Sequence, residues 1–145
     1  MVFFKNLYRY QQEGLLLLRI GIGLMFILHG WPKITGGPET WAQIGGSMGN
    51  LGISYAPTFF GFMAAFAEAV GGLCLLLGLF FRPMTLLLFI TMEVATIHHI
   101  TADDGFGGYS HALEAAILFL SLFFIGPGRY SLDQAWFGGE AQEYE

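Results

Sequence analysis

Charge is scarce in this chain. Only 12% of its 145 residues are Asp, Glu, Lys or Arg, about half the share of a soluble domain. That is too little to cover a surface in water. Lys and Arg number 6 against 11 Asp and Glu, with no basic run, so a nucleic-acid platform is excluded. Cysteine is nearly absent. Cys74 alone rules out an intramolecular disulfide and a cysteine-based zinc finger, and its apolar run marks it as a buried, inert thiol. No GxxxxGK[ST] loop, GxSxG elbow or HExxH is present. The GxG at Gly21 and Gly23 lies inside an apolar run, so it serves helix packing. There is no long linker, low-complexity tract or repeat, and the length suits one domain over 1–145. What is abundant is apolar: 54% hydrophobic residues, 21 Gly and 15 Phe, with a mean hydropathy of +0.58. This composition points to a membrane protein with closely packed helices.

A membrane span needs about 17–25 mostly apolar residues. Four segments qualify: Gly14–Trp31, Pro57–Phe81, Pro83–Ile100 and Tyr109–Gly126. They lack the period-2 alternation of barrel strands. Pro57 and Pro83 suit first helical turns, and Gly126-Pro127-Gly128 is a stop. Arg19 interrupts the first span and no small-x-small site follows it, so it does not read as a cleavable signal peptide. Arg82 alone is expected to join the second and third spans in a tight hairpin. The acidic tail after Arg129 is expected to be interfacial near Trp136 and Phe137 and frayed beyond. The expected fold is therefore an all-α bundle of four transmembrane helices in a cytoplasmic (inner) membrane of bacterial type.

Lys5, Arg9, Arg82 and Arg129 fall on one side of these spans and Lys33 on the other. The positive-inside rule places both termini in the cytoplasm and loops 32–56 and 101–108 outside. Trp41, Ile44, Met48 and Leu51 follow helical spacing after Pro38, which predicts a short interfacial helix in the first outer loop, lying as a lid.

Ionisable residues inside spans are costly, by about 2.5–3.5 kcal/mol on insertion scales, and this chain has eight. At about 1.5 Å per residue, His29, His98, His99 and His111 share one outer layer. Glu93 and Glu114 lie roughly 8–10 Å below it, and Arg19 and Glu68 at roughly 16 Å. Equal depth predicts an Arg19–Glu68 ion pair, drawn together by a small-residue stripe around Glu68 (Gly61, Ala64, Ala65, Gly71, Gly72, Gly78) and by Gly23 and Gly30 beside Arg19. The alternative is a pair that only sets helix register. Two carboxyls in one apolar site cannot both ionise easily, so at least one of Glu93 and Glu114 is expected to hold a proton near neutrality; separate carboxyls bonded to hydroxyls are the alternative. His111 and Glu114, three residues apart, could share a metal with His98 and His99. Their angular positions oppose this, and histidines bonding loops or headgroups compete with it. A bis-histidine haem is weaker still.

Arg19, His29-Gly30-x-x-Lys33, Glu68-x-x-Gly71-Gly72 with Gly78, Glu93, Glu114 and the closing GPGRYSLD (Gly126 to Asp133) together resemble the DoxX family of small four-span membrane proteins. The resemblance covers about residues 14–133. It implies an integral membrane subunit like those of thiosulfate:quinone oxidoreductase, or of complexes with superoxide dismutase and sulfurtransferase partners in thiol and oxidative-stress defence. With one cysteine, the chain needs a partner protein, soluble or membrane-bound, for any thiol chemistry. The resulting expectation is an outward-facing His/carboxylate cavity for a quinone. Glu93, Glu114 and Glu68 are its candidate proton-handling catalytic residues, Arg19, His29 and Lys33 its ligand-binding residues, and His98, His99 and His111 the candidates for a metal. Loop 32–56 would close over it. A non-enzymatic carrier or permease for a small solute or proton, or an assembly scaffold without a site, is the alternative. A homo-oligomer is compatible with each reading.

Overall fold

The computed structural model describes residues 7–138, and no strand occurs among the described residues. A 3-10 turn, Leu7–Tyr10, leads into α1, Gln11–Thr35. Next come α2, Gly37–Gly45, and a 3-10 turn, Gly46–Leu51. The second span is composite: α3, Pro57–Phe66, a π-helical segment, Ala67–Gly71, and α4, Gly72–Leu77. Two long helices follow, α5, Phe81–Thr101, and α6, Gly105–Ile125, and then the short α7, Leu132–Phe137. Four stretches are long and apolar enough to cross a membrane: Leu7–Thr35, Pro57–Leu77, Phe81–Thr101 and Gly105–Ile125. The four expected spans are all present, and the helix expected in the first connection is α2. The frayed tail falls at 139–145, outside the described residues.

The span ends differ from expectation for local reasons. The first span runs past Pro32 to Thr35, because a proline removes one helical hydrogen bond but keeps a helical φ. The second stops at Leu77, where Gly78 (φ 67°) and Phe80 (φ 45°) turn left-handed. The connection to α5 is thus Gly78–Phe80, and Arg82 lies in the first turn of α5. That turn is held from more than 50 residues away: the Phe80 and Phe81 amides donate to Asp133 Oδ1 and Oδ2 at 2.9 and 2.8 Å, and the Asp133 amide donates to the Gly78 carbonyl at 2.9 Å. Ser131 caps α7, its Oγ accepting from the Gln134 amide at 3.2 Å. The closing GPGRYSLD segment therefore clamps the hairpin of spans two and three.

The core cluster joins Leu75, Phe81, Leu88, Met92, Ala116, Phe119 and Leu122, and Phe26 of α1 meets Phe119 edge-on at 4.8 Å. Glycine sets the spacing between α1 and the second span. A Cβ on Gly23 would lie 2.7 Å from the Gly72 carbonyl oxygen, and one on Gly30 would lie 2.3 Å from the Ala69 amide. The two small faces meet, as their stripes suggest, backbone to backbone. α2 then continues along the same course. A Cβ on Gly61 would sit 1.7 Å from the Trp41 carbonyl oxygen, and one on Gly45 would sit 1.8 Å from that of Pro57. α1 and α2 in succession thus flank the whole second span, and α2 stands upright against α3 as a wall rather than lying across the bundle as a lid.

Candidate functional site

This register separates the two charges expected to pair. Arg19 is 1% exposed and bonds no carboxylate among the described residues. Its Nε donates to the Leu75 carbonyl at 3.1 Å and Nη2 to that of Leu76 at 3.0 Å; Nη1 donates to Pro127 and Tyr130 at 2.8 and 2.9 Å. The last carbonyls of a helix lack partners and carry the negative end of its dipole. Arg19 fills that place for α4 and ties the closing segment to it, with the Phe81 ring 6.0 Å away. Arg129 secures the same end by its ion pair with Glu13 at 2.8 Å. Glu68 lies level with Gly30, eleven residues along α1 from Arg19, or roughly 16 Å. The Arg19–Glu68 pair does not exist. Its prediction aligned Pro57 with Trp31, whereas the first turns of the second span flank α2.

Glu68 pairs with Lys33 instead. The ammonium donates to both carboxylate oxygens, at 2.7 and 2.6 Å. Glu68 is 4% exposed and sits in the π-helical segment, a rare distortion frequent at functional sites. The Lys33 side chain is 37% exposed. Trp41 holds it from α2, its indole N–H donating to the Lys33 carbonyl at 3.0 Å. Lys33 is the one Lys or Arg that the sequence leaves on its side of the bundle, and a buried carboxylate needs a cation; that was the available signal for this pair. Nothing local marks the roles of Trp41 or Asp133.

The pair lines a cleft of about 650 Å³ between α2 with its following turn, α3 and α5. Its walls are apolar, with Phe59, Phe60, Met63, Leu87, Ile90 and Val94, and Thr91, His98 and His99 add polar groups. Of the residues expected to form the site, the structure brings Lys33, Glu68, His98 and His99 to this cleft. Arg19, His29, Glu93, His111 and Glu114 line none of it. The fourth span, expected to contribute, is absent from the wall; the second span and α2 take its place.

The remaining candidates separate. His29 is exposed, and its Nδ1–H donates to the Met25 carbonyl one turn back at 2.8 Å. The Asn50 amide donates to His98 Nδ1 at 3.0 Å, and His99 Nδ1 pairs with Asp104 at 2.6 Å. These two histidines bind loops, the competing reading of their layer. His111 is exposed on another helix. Among the described residues no three His, Cys, Asp or Glu side chains converge as a metal requires, so His98, His99 and His111 do not form the suggested centre. Glu93 is half-buried on α5, while Glu114 is exposed on α6 and bonds no other described side chain. The two carboxyls share a level but not an enclosed site.

The fold and the cleft define a multi-pass membrane protein: four spanning helices with a small, largely apolar cleft between α2, α3 and α5 that holds a partly buried ion pair. The chain belongs to the DoxX family, whose model matches residues 14–100. That match takes in α1 to α5 and stops before α6 and the closing segment. Similarity to individual relatives extends further. An uncharacterized protein of Haemophilus influenzae is 32% identical over 138 residues, 91% of this chain and 97% of the relative. The inner membrane proteins YphA and YqjF of Escherichia coli are 33% and 31% identical, over 83% and 86% of this chain and 88% and 92% of their own lengths. No solved structure matches the chain. With its four apolar spans and these relatives, the chain is a multi-pass inner membrane protein.

Proposed function

We propose that the protein is the membrane subunit of a quinone-linked oxidoreductase, in which this cleft holds the quinone ring. The observation that carries this reading is the Lys33–Glu68 pair in a largely apolar space of about 650 Å³. A quinone is a flat apolar ring with a hydrogen-bond acceptor at each end. Phe59, Phe60, Met63 and Ile90 supply the slot. An ammonium has three N–H donors; Lys33 directs its charge at Glu68 and keeps a donor for a ligand carbonyl. Glu68, bonded to Lys33, is placed to hold the proton that such a carbonyl takes up. His98, oriented by Asn50, faces the same space and serves the second carbonyl. A bound quinone would supply two-electron redox chemistry, with the electrons coming from a partner protein, since Cys74 alone makes no dithiol relay.

Trp41 reports on the pair directly. In a Trp31→Phe, Trp136→Phe background, a short-chain ubiquinone or menaquinone added to protein in nanodiscs is expected to quench Trp41 fluorescence saturably. Glu68→Gln and Lys33→Gln should each weaken binding about tenfold, the loss of roughly one charge-assisted hydrogen bond. Linear quenching, equal in all three proteins, would sink the proposal.

The same reading sets both termini in the cytoplasm, on the four-to-one Lys and Arg bias. Single cysteines at Ser54 and Ala135, both exposed, test it in a Cys74→Ala background. An impermeant thiol reagent applied to the periplasmic face should label Ser54→Cys and spare Ala135→Cys. The opposite pattern inverts the topology and moves the cleft mouth to the cytoplasmic side.

A further inference from the structure

Three faces are distinct on α6. Ala112, Ala116, Phe119 and Leu122 are buried against the bundle. Ile117, Leu120 and Phe124 are exposed and wholly apolar, as a lipid-facing surface should be. The third face, about 100° further round at 100° per residue, carries Gly107, His111, Glu114, Leu118, Ser121 and Ile125. All but the half-buried Leu118 are exposed. The exposed polar side chains of the spanning part of α6 fall on this face, and the apolar exposed face has none. Glu114 lies nine residues from the start of the helix, about 14 Å along its axis. A carboxyl side chain is too short to reach a headgroup from there. Neither His111 nor Glu114 bonds any other described side chain, and the Ser121 hydroxyl donates back to the Ile117 carbonyl at 2.8 Å.

We propose that this face of α6 is a homodimer interface, occupied by α6 of a second copy of the chain. Its positions repeat at alternating intervals of four and three residues, the seam of a left-handed helix pair. Two copies inserted in one membrane in the same sense are related by a two-fold axis along the membrane normal, so the two α6 helices run parallel and equal depths meet. The face then has to be complementary to itself, and it is. His111 and Glu114 lie one turn apart, so His111 of each copy comes within a turn of Glu114 of the other. Gly107 and Ser121 are small enough to let the helices close above and below. A carboxyl that lipid would leave unpaired thus gains a partner in the same layer. No residue of α6 lines the cleft, so the dimer face and the cleft share no side chain.

Disulfide trapping in native membranes tests this, with Cys74→Ala as background. Ser121→Cys should give a cross-linked species of twice the chain mass, at least tenfold more than Phe124→Cys on the apolar face. Energy transfer between labelled copies in liposomes supplies a second reading. Glu114→Leu should already dissociate at about tenfold higher protein density than wild type, with unchanged thermal unfolding in detergent, whereas Glu114→Gln should keep most of the association because its amide still bonds His111. Cross-linking equal from the two faces, a cross-linked product of another mass, or wild-type protein monomeric at every density would each overturn the proposal.

Discussion

Arg19→Leu is expected to destabilise the bundle by about 3–5 kcal/mol, read as a lower midpoint in detergent-based unfolding. The guanidinium bonds four backbone carbonyls from three places in the chain; with leucine, that of Leu75 keeps the Gly78 amide, but those of Leu76, Pro127 and Tyr130 lose this partner where water is scarce. Arg19→Lys should recover only part of the loss, because one ammonium cannot span carbonyls that a planar fork reaches together. Limited proteolysis should then cut first around 126–131, the segment that Arg19 ties down. A cycle with Glu68→Leu discriminates the observed arrangement from a direct ion pair. At a separation of roughly 16 Å along the helix, the two losses should add to within about 0.5 kcal/mol. Lys33→Leu and Glu68→Leu, whose groups touch at 2.6 Å, should not add.

Gly30→Ala is expected to cost about 3 kcal/mol, at the upper end of overpacking effects. The new Cβ would meet the Ala69 amide at 2.3 Å and the Glu68 carbonyl carbon at 2.6 Å. These are backbone atoms, so no rotamer change relieves them; α1 has to move off the second span. Lys33 lies less than one turn beyond, so the same movement pulls its ammonium from Glu68, and Trp41 fluorescence should lose its quinone response. Gly21→Ala is the matched control. It is in the same helix with no atom within 4 Å of its Cβ, and it should leave both stability and the Trp41 signal near wild type.

Much of this molecule is legible in the chain. Long apolar runs place four spans, because a bilayer admits few other conformations for such segments. The spacing of Trp41 and Ile44 marks the helix after Pro38. The stripes Gly23/Gly30 and Gly71/Gly72 mark the faces that touch. The ionisable residues in the spans stand out by cost alone, and Glu68 and Lys33 were both among the candidates. Their pairing was not legible. Helical periodicity gives a residue's angle and its distance along its own axis, but not the axial offset between two helices. That offset depends on where glycines permit backbone contact and on what else the second helix touches. Here the first turns of the second span flank α2, which shifts Glu68 away from Arg19 and onto Lys33. The same limit hid the Asp133 clamp on α5, a contact across more than 50 residues of chain, and it placed Glu93 and Glu114 in one pocket on similar depth alone, with nothing to say that they face each other. Sequence alone determined the class of protein, the spans and the residues that lipid makes expensive. The tertiary structure alone decided which of them meet, because side-chain partners in a helix bundle are chosen by register, and register is a property of the packed pair.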